Sequence, residues 1–387
     1  MGPRRARLWL SAAAIAGYLP ALGAPLRHWF DFAAFYTGGR LVFQRSLLDP
    51  LAVVLLQVQQ GLPPTPFVSP PFLALAYAPL TALPYDLAAL IQVVAMAAAL
   101  VAGALLWADA LGLPRRWALL GALAWGPASA SVASGQVDTL ALLLSGAAVR
   151  LLADGRRSAA GLAIALLAFK PQVTFGAGLG ALPRLGRRGT ATLLAGGAAL
   201  YVLAAVAVGG DLAWPGRWVA TLQSYSAADF AANGWQASSP VSLGLRAAIA
   251  VGDPLLAAAG VALGVGVAVG VAWWSLRRWS PPSGAADIAM WTAIGLLLSP
   301  HLWVYDATLL LPAIGALAAA AGRAGWPATD RALLTVVFAA GALWPFGGFL
   351  GITFVPLALV AIPLRLGLSG HMAVQGGAGI VTVDSPS

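Results

Sequence analysis

Apolar residues recur along this chain in long, nearly unbroken runs: 8–26, 71–84, 86–108, 117–134, 136–153, 158–183, 189–208, 243–274, 287–300, 302–321, 331–347 and 349–366. Runs that are apolar all round predict helices buried in lipid or among one another. A span takes about 20 such residues, so the chain holds material for roughly ten to twelve transmembrane helices. No gap is long enough for a separate soluble domain. The pattern predicts an all-α polytopic membrane domain over 1–368 and a small, polar, disordered tail over 369–387.

The polar punctuation predicts a topology. Pairs of basic residues separate several runs: Arg115-Arg116, Arg156-Arg157, Arg187-Arg188 and Arg277-Arg278. Such pairs mark cytoplasmic loops. Two longer stretches, 27–70 and 211–242, are rich in Trp, Tyr, Phe, Ser and Pro, and read as extracytoplasmic loops with short helices along the outer surface. Arg4, Arg5 and Arg7 before an apolar run resemble a secretory signal. Because more apolar segments follow at once, the reading is an uncleaved first helix with a cytoplasmic N-terminus. Two arrangements fit the middle of the chain. If every run crosses once, Arg115-Arg116 and Arg156-Arg157 fall outside, against the rule. If 71–84 is too short to cross and 158–183 is a re-entrant pair broken at Lys170-Pro171, every Arg pair falls inside, with Gln136 and Lys170 on the outer side. In both, Asp31 and His301 lie outside. No internal repeat is evident, which weakens a transporter of the inverted-repeat kind.

Composition narrows the class. The chain has 387 residues, 60% hydrophobic and 9% charged, against about 25% charged in soluble domains. All 13 acidic residues are Asp, and Lys170 is the single lysine among 22 basic residues. The formal net charge of +9 would suggest nucleic acid in a soluble protein, but the positive-inside pattern accounts for it here, and no nucleic-acid partner is expected. The chain has no cysteine, hence no disulfide or thiolate site. Three scattered histidines without Cys or Glu make no zinc site. There is no Walker-type phosphate loop, and Gly38-Gly39 reads as close packing.

Ionisable groups beside membrane helices are costly and therefore suspects for function. Asp31 follows the first helix among Trp29, Phe30, Phe32, Phe35 and Tyr36, with Arg40 one turn after Tyr36. A carboxylate among aromatics can be raised in pKa by desolvation and act as a base; it can equally cap a short helix and pair with Arg27 or Arg40. Asp49-Pro50, upstream of Ser69-Pro70-Pro71-Phe72, reads as a turn. In Gly135-Gln136-Val137-Asp138, Gln136 offers two donors and an acceptor, and Asp138 is placed to cap the next helix; a plain interhelical turn is the other reading. Lys170 in Phe169-Lys170-Pro171-Gln172 sits mid-segment, where it must snorkel, pair, or meet an anion such as phosphate. In Ser299-Pro300-His301 to Asp306, helical spacing puts His301 and Tyr305 on one face and Asp306 on another.

In order and spacing these clusters resemble glycosyltransferase family 87, which comprises multi-spanning transferases that use polyprenyl-phosphate sugars. The matching stretches are Asp31-Phe32 to Arg40 with Asp49-Pro50, Ser69-Pro70-Pro71-Phe72 to Pro79-Leu80, Gly135-Gln136 to Leu144, Ala160-Gly161 to Lys170-Pro171, and Ser299-Pro300-His301 to Asp306. The sequence departs at Leu51 and Ser69, where the family usually carries Tyr. The resemblance implies a GT-C type fold with a cavity at the outer face of the plasma membrane, and Asp31 as the catalytic base. It implies inverting transfer of a sugar, mannose foremost, from a polyprenyl-phosphate donor to a glycolipid or polysaccharide hydroxyl. Lys170, His301 and Arg40 are then the candidates for the donor phosphate, and Tyr36, Gln136 and Tyr305 for the substrates. No Asp-x-Asp pair occurs, which suits a lipid-linked donor, with no metal or cofactor expected. A transporter or flippase for a lipid or small solute is the alternative.

Overall fold

In a computed structural model of the chain, residues 30–251, 253–278, 283–343 and 355–368 are described, besides Ser11, Ala12, Ala14 and Ile15. The first helix expected over 8–26 and the tail over 369–387 lie outside the described residues.

Every described element is a helix. They are α1 (Phe30–Arg40), α2 (Pro50–Gln59), α3 (Phe72–Tyr77), α4 (Tyr85–Leu111), α5 (Arg115–Ala124), α6 (Gly126–Ser134), α7 (Asp138–Ala153), α8 (Arg157–Leu166), α9 (Pro171–Ala207), α10 (Trp214–Asn233), α11 (Pro240–Val251), α12 (Pro254–Arg278), α13 (Gly284–Leu297), α14 (Leu311–Arg323), α15 (Ala328–Leu343) and α16 (Val355–Leu368). Short 3-10 helices occupy Ala78–Ala82, Leu167–Phe169 and Val304–Leu310. Among the described residues, α4, α9, α12 and Val304–Arg323 each have the length and composition to cross a membrane, α9 being two helices joined at Gly186, and α6 with α7 forms a further candidate bent by 117°. Other apolar runs became shorter pieces, because Pro and Gly interrupt them. The run 71–84 is one: Phe72–Ala82 is too short to cross alone.

The run 158–183 breaks where Lys170-Pro171 predicted. Pro171 has no amide proton to continue the ladder, and Lys170 turns the backbone between Phe169 and α9. Residues 171–185 then run back along α8, so that Gly178 meets Ile164. At Gly186, with φ 59° and ψ −176°, the chain reverses again. The second half of α9 returns beside α8: Gly161 lies against Gly189, and Gly196 against Ala165. Lacking side chains at these crossings, the helices approach to backbone contact, the usual mode of helix association in lipid. The same device seats α9 on α13 through Gly176, Gly180 and Gly295, and α11 on α12 through Gly244, Gly260 and Gly264.

These reversals sort the charges. Arg157 reaches the Gly186 turn, and Arg184 pairs with Asp287 at 2.7 Å near the start of α13. Asp109 and Arg115, paired at 2.8 Å between α4 and α5, lie within electrostatic reach of Arg150 near the end of α7. The opposite ends of α7 and α8 carry Gln136 and Lys170. The arrangement is therefore the one with a broken pair, with Arg115, Arg157 and the Gly186 turn at one end and Gln136 and Lys170 at the other.

The two aromatic stretches pack on each other at that second end. From α10, Trp218 donates to the Val68 carbonyl (3.0 Å) and Thr221 to that of Leu48 (2.6 Å). Asp49 caps α2 by accepting from the Leu51 amide at 3.0 Å, so the turn reading holds there. Gly38 and Gly39 are packing positions: a Cβ on either would stand within 3 Å of Phe67 or Tyr77.

The turn between α6 and α7 is equally constrained. Gly135 has φ 77°, and a Cβ there would lie 2.7 Å from Cβ of Phe32 in α1. Replacing Gly135 by Ala costs about 1–3 kcal/mol for the left-handed backbone alone, with the Phe32 clash in addition. Gly135→Ala should lower the thermal midpoint of the detergent-solubilised protein clearly, whereas Gly197→Ala, which meets nothing within 4 Å, should leave it unchanged.

Candidate functional site

At the end carrying Gln136 and Lys170 a cavity of about 600 Å³ opens, within the usual size range for small-molecule sites. Its wall draws on Ser69 and Pro70 before α3, Gln136 at the α6–α7 turn, Lys170 and Phe175 at the head of α9, Trp218 and Tyr225 of α10, and His301, Tyr305 and Asp306. Four of the five sequence clusters thus meet at one place. Asp31 stands just behind Gln136 and connects the fifth.

Asp31 lies in the first turn of α1, where the helix dipole favours a carboxylate. The face it shares with Phe35 is anchored below by Phe35, stacked on Tyr77 with ring centroids 5.0 Å apart. The close approach of Phe32 to Gly135 brings the next turn against α1, so that the polar side chains of Ser134 and Gln136 stand near the Asp31 carboxylate and favour its charged form. Behind the turn, Gln92 of α4 donates to the Gly135 carbonyl (3.0 Å) and to the Tyr77 hydroxyl (2.9 Å). Among the described residues Asp31 makes no ion pair. Desolvation pushes its pKa up to about 6, against the polar groups of Ser134 and Gln136 and the more distant charge of Lys170. A carboxylate so poised is largely ionised at neutral pH yet basic enough to take a proton.

Lys170 is nine-tenths buried and paired twice. Its ammonium stands 2.5 Å from Oδ1 of Asp138 and also contacts Oδ1 of Asp306. The ring of Tyr305 covers it with its centroid at 5.6 Å. Asp138 does not cap α7 as its position suggested: it is the first residue of the helix, fully buried, turned inward toward Lys170 and Ser131 Oγ (3.2 Å). A buried cation attracts that carboxylate more strongly than the neutral amides of its own first turn do. Asp306 meets Lys170 with one oxygen, and with the other accepts from the Trp303 amide at 2.7 Å.

His301 and Tyr305 both face the cavity, but not from one helix face. The 3-10 helix begins at Val304, and His301 precedes it in a bend held by Ser299 Oγ donating to its carbonyl (2.9 Å). The imidazole is half-exposed, packs on Trp303 with centroids 4.4 Å apart, and places Nε2 2.7 Å from Oδ2 of Asp229. Asp229 on α10 is buried and also accepts from Tyr225 (3.2 Å) and Asn233 (2.7 Å). Burial pushes its carboxyl up, but His301 and the two other donors outweigh burial and hold it below the usual range. Sequence reasoning passed over Asp229, because it sits in a stretch read as an interfacial loop. Its spacing of four from both Tyr225 and Asn233 was the available signal.

Arg40 and Tyr36 stand apart from the cavity wall. Arg40 is exposed at the far end of α1, about 13 Å along the helix axis from Asp31. Tyr36 is buried, with its hydroxyl donating to the Leu83 carbonyl at 2.9 Å and its ring edge-on to Tyr85. Neither lines the cavity.

Lys170→Met would strand two buried carboxylates without their shared cation, a loss that costs roughly 3–5 kcal/mol. Thermal unfolding in detergent should show a large drop for Lys170→Met and no measurable change for Arg40→Ala.

Residues 67–300 match the model of glycosyltransferase family 87. The matched segment contains Gln136, Asp138, Lys170 and Asp229, while Asp31 and His301 lie outside it. No curated protein and no solved structure matches the chain. The family match covers more than half of the chain and agrees with its all-helical, membrane-crossing build: this protein belongs to glycosyltransferase family 87 and is a membrane glycosyltransferase.

Proposed function

We propose that this transferase moves a sugar, mannose foremost, from a polyprenyl-phosphate donor to a hydroxyl of a glycolipid or glycan, with inversion, at the outer face of the plasma membrane. The observation that carries the reading is Asp31: a carboxylate raised to about 6, free of ion pairs among the described residues, standing behind the cavity-lining Gln136 with Ser134 beside it. The acceptor oxygen attacks the anomeric carbon as the bond from that carbon to the phosphate oxygen breaks. The electron pair leaves with the polyprenyl phosphate, and the hydroxyl proton passes to Asp31. A β-linked donor then yields an α-linked product.

Charge grows on the departing phosphate, and preorganised donors there lower the barrier. Lys170 has three donors, two of them engaged by Asp138 and Asp306, and the third is assigned to the phosphate with His301. Gln136 and Tyr305 line the same wall and contact the sugars. A lipid-linked donor is supported by a second, mostly apolar cavity of about 370 Å³. It adjoins the first through Pro70, Pro171, Phe175 and Trp218, and extends along Leu200, Tyr201 and Trp214. Arg40 would serve a phosphate only from outside the cavity.

The test is a membrane assay with radiolabelled polyprenyl-phosphate mannose and polyprenyl-phosphate arabinose, scoring label in lipid and glycan. Asp31→Asn should insert and fold normally and lose about 10²–10⁴-fold in transfer rate; full activity in that variant rules out Asp31 as the base.

The pH dependence has a definite sign. Because the ionised Asp31 is the working form, kcat/KM should fall tenfold per unit below pH 6 and be level above it. The Gln136 amide favours the charged carboxylate and thereby lowers its pKa. Gln136→Ala should therefore move the acid limb to higher pH, and an unmoved limb would dissociate Gln136 from Asp31.

A further inference from the structure

The cluster Asp138–Lys170–Asp306 joins three elements that are distant in sequence. Asp138 opens α7 directly after the turn that carries Gln136. Lys170 occupies the break between α8 and α9. Asp306 lies in the 3-10 helix after His301 and Trp303, and binds the Trp303 amide. All three side chains are nine-tenths buried or more, and each element also sends a residue into the cavity wall: Gln136, Phe175 and Tyr305. A single ammonium thus sets the distance between the turn that holds Asp31 and the bend that holds His301.

The pairing bears on its purpose. Each acid on the ammonium takes a donor that an anionic ligand could use, so a site built merely to attract an anion would do better with either acid removed. Two carboxylates are what geometry requires when the ammonium must be held at a fixed point with one donor left over. The cavity lining contains no arginine to share that task.

We propose that Asp138 and Asp306 are positioning residues of the glycosyl transfer: they hold Lys170 as a hub that places Gln136 with Asp31 on one side and His301 on the other. The inference deepens the reading of Asp31 as base and rests on the same cavity.

The experiment measures kcat and donor KM for Asp138→Asn, Asp306→Asn and the neutral combination K170M/D138N/D306N, beside Asp31→Asn, with thermal unfolding of each purified protein. The Asn variants keep the shape and remove one acid. A hub predicts kcat lowered about 10–100-fold in both single variants, with donor KM changed less than threefold. The neutral combination, which strands no charge, should fold and show kcat at least as low. A role in attracting the anionic donor predicts the opposite for the single variants: a lower donor KM with kcat kept. That result overturns the proposal, and so does wild-type kcat in the neutral combination. If the neutral combination fails to fold, the cluster supports the fold alone and the proposal is likewise overturned. Failure of the base reading is separate: it shows as full activity in Asp31→Asn, whatever the hub variants do.

Discussion

The ammonium of Lys170 between Asp138 and Asp306 is the constraint on which the rest of the site depends. Ionisable groups removed from water carry a desolvation cost that their pairing offsets only when the geometry is well made. Such a cluster tolerates little displacement of its members, because the attraction in a low-dielectric surround falls steeply when a partner moves. α7, the α8–α9 break and the 3-10 helix at Val304–Leu310 are consequently locked to one point. A purely apolar junction of similar volume could hold these helices together, but it would allow them to slide. The charged one specifies their register, and the cavity wall is read out from it.

Close helix packing supplies the second constraint. In lipid there is little hydrophobic gain from bringing two apolar helices together, so contact must come from shape and from exposed backbone. The crossings of α9 with α8 and with α13 meet at glycines whose replacement would place a Cβ against a neighbouring carbonyl. These contacts fold 158–207 into two sharp reversals and bring the polar break at Lys170 to the same end as Gln136. α10 then lies across that end, tied to the first aromatic stretch through Trp218 and Thr221 and to the bend at His301 through Asp229. The cavity is enclosed by a helix that belongs neither to the apolar runs nor to the family's most visible motifs.

Charge in the site is divided by environment rather than by residue type. Asp31, Asp138, Asp229 and Asp306 are chemically identical, yet only Asp31 meets neutral donors alone among the described residues. The others each face a cation or an imidazole. That difference separates a carboxylate free to accept a proton from carboxylates committed to holding other groups in place. It comes from the Gly135 turn, which presents Ser134 and Gln136 to α1 at a distance no larger residue would permit.

Read alone, the sequence determined the membrane class, the all-helical build, the break at Lys170-Pro171 and the residues worth suspecting. Each of these follows from local facts: apolar length, proline at a helix start, and the rarity of charge in an apolar chain. It also led to Asp138 as a cap and to His301 and Tyr305 on one helical face, because spacing rules assume that a helix continues and that a polar side chain serves its own backbone. The tertiary structure overruled both, since a buried lysine 32 residues further along the chain offers Asp138 a stronger partner than the amides of its own helix do, and since Asp306, drawn to the same lysine, sits in a 3-10 helix that begins only at Val304. Asp229 showed only its local spacing from Tyr225 and Asn233: its meaning lies in His301, which is remote in sequence and reached only when α10 folds over the cavity. Long-range electrostatic pairing has no signature in local pattern, and together with glycine-mediated close approach it decided which of the suspected residues share one site.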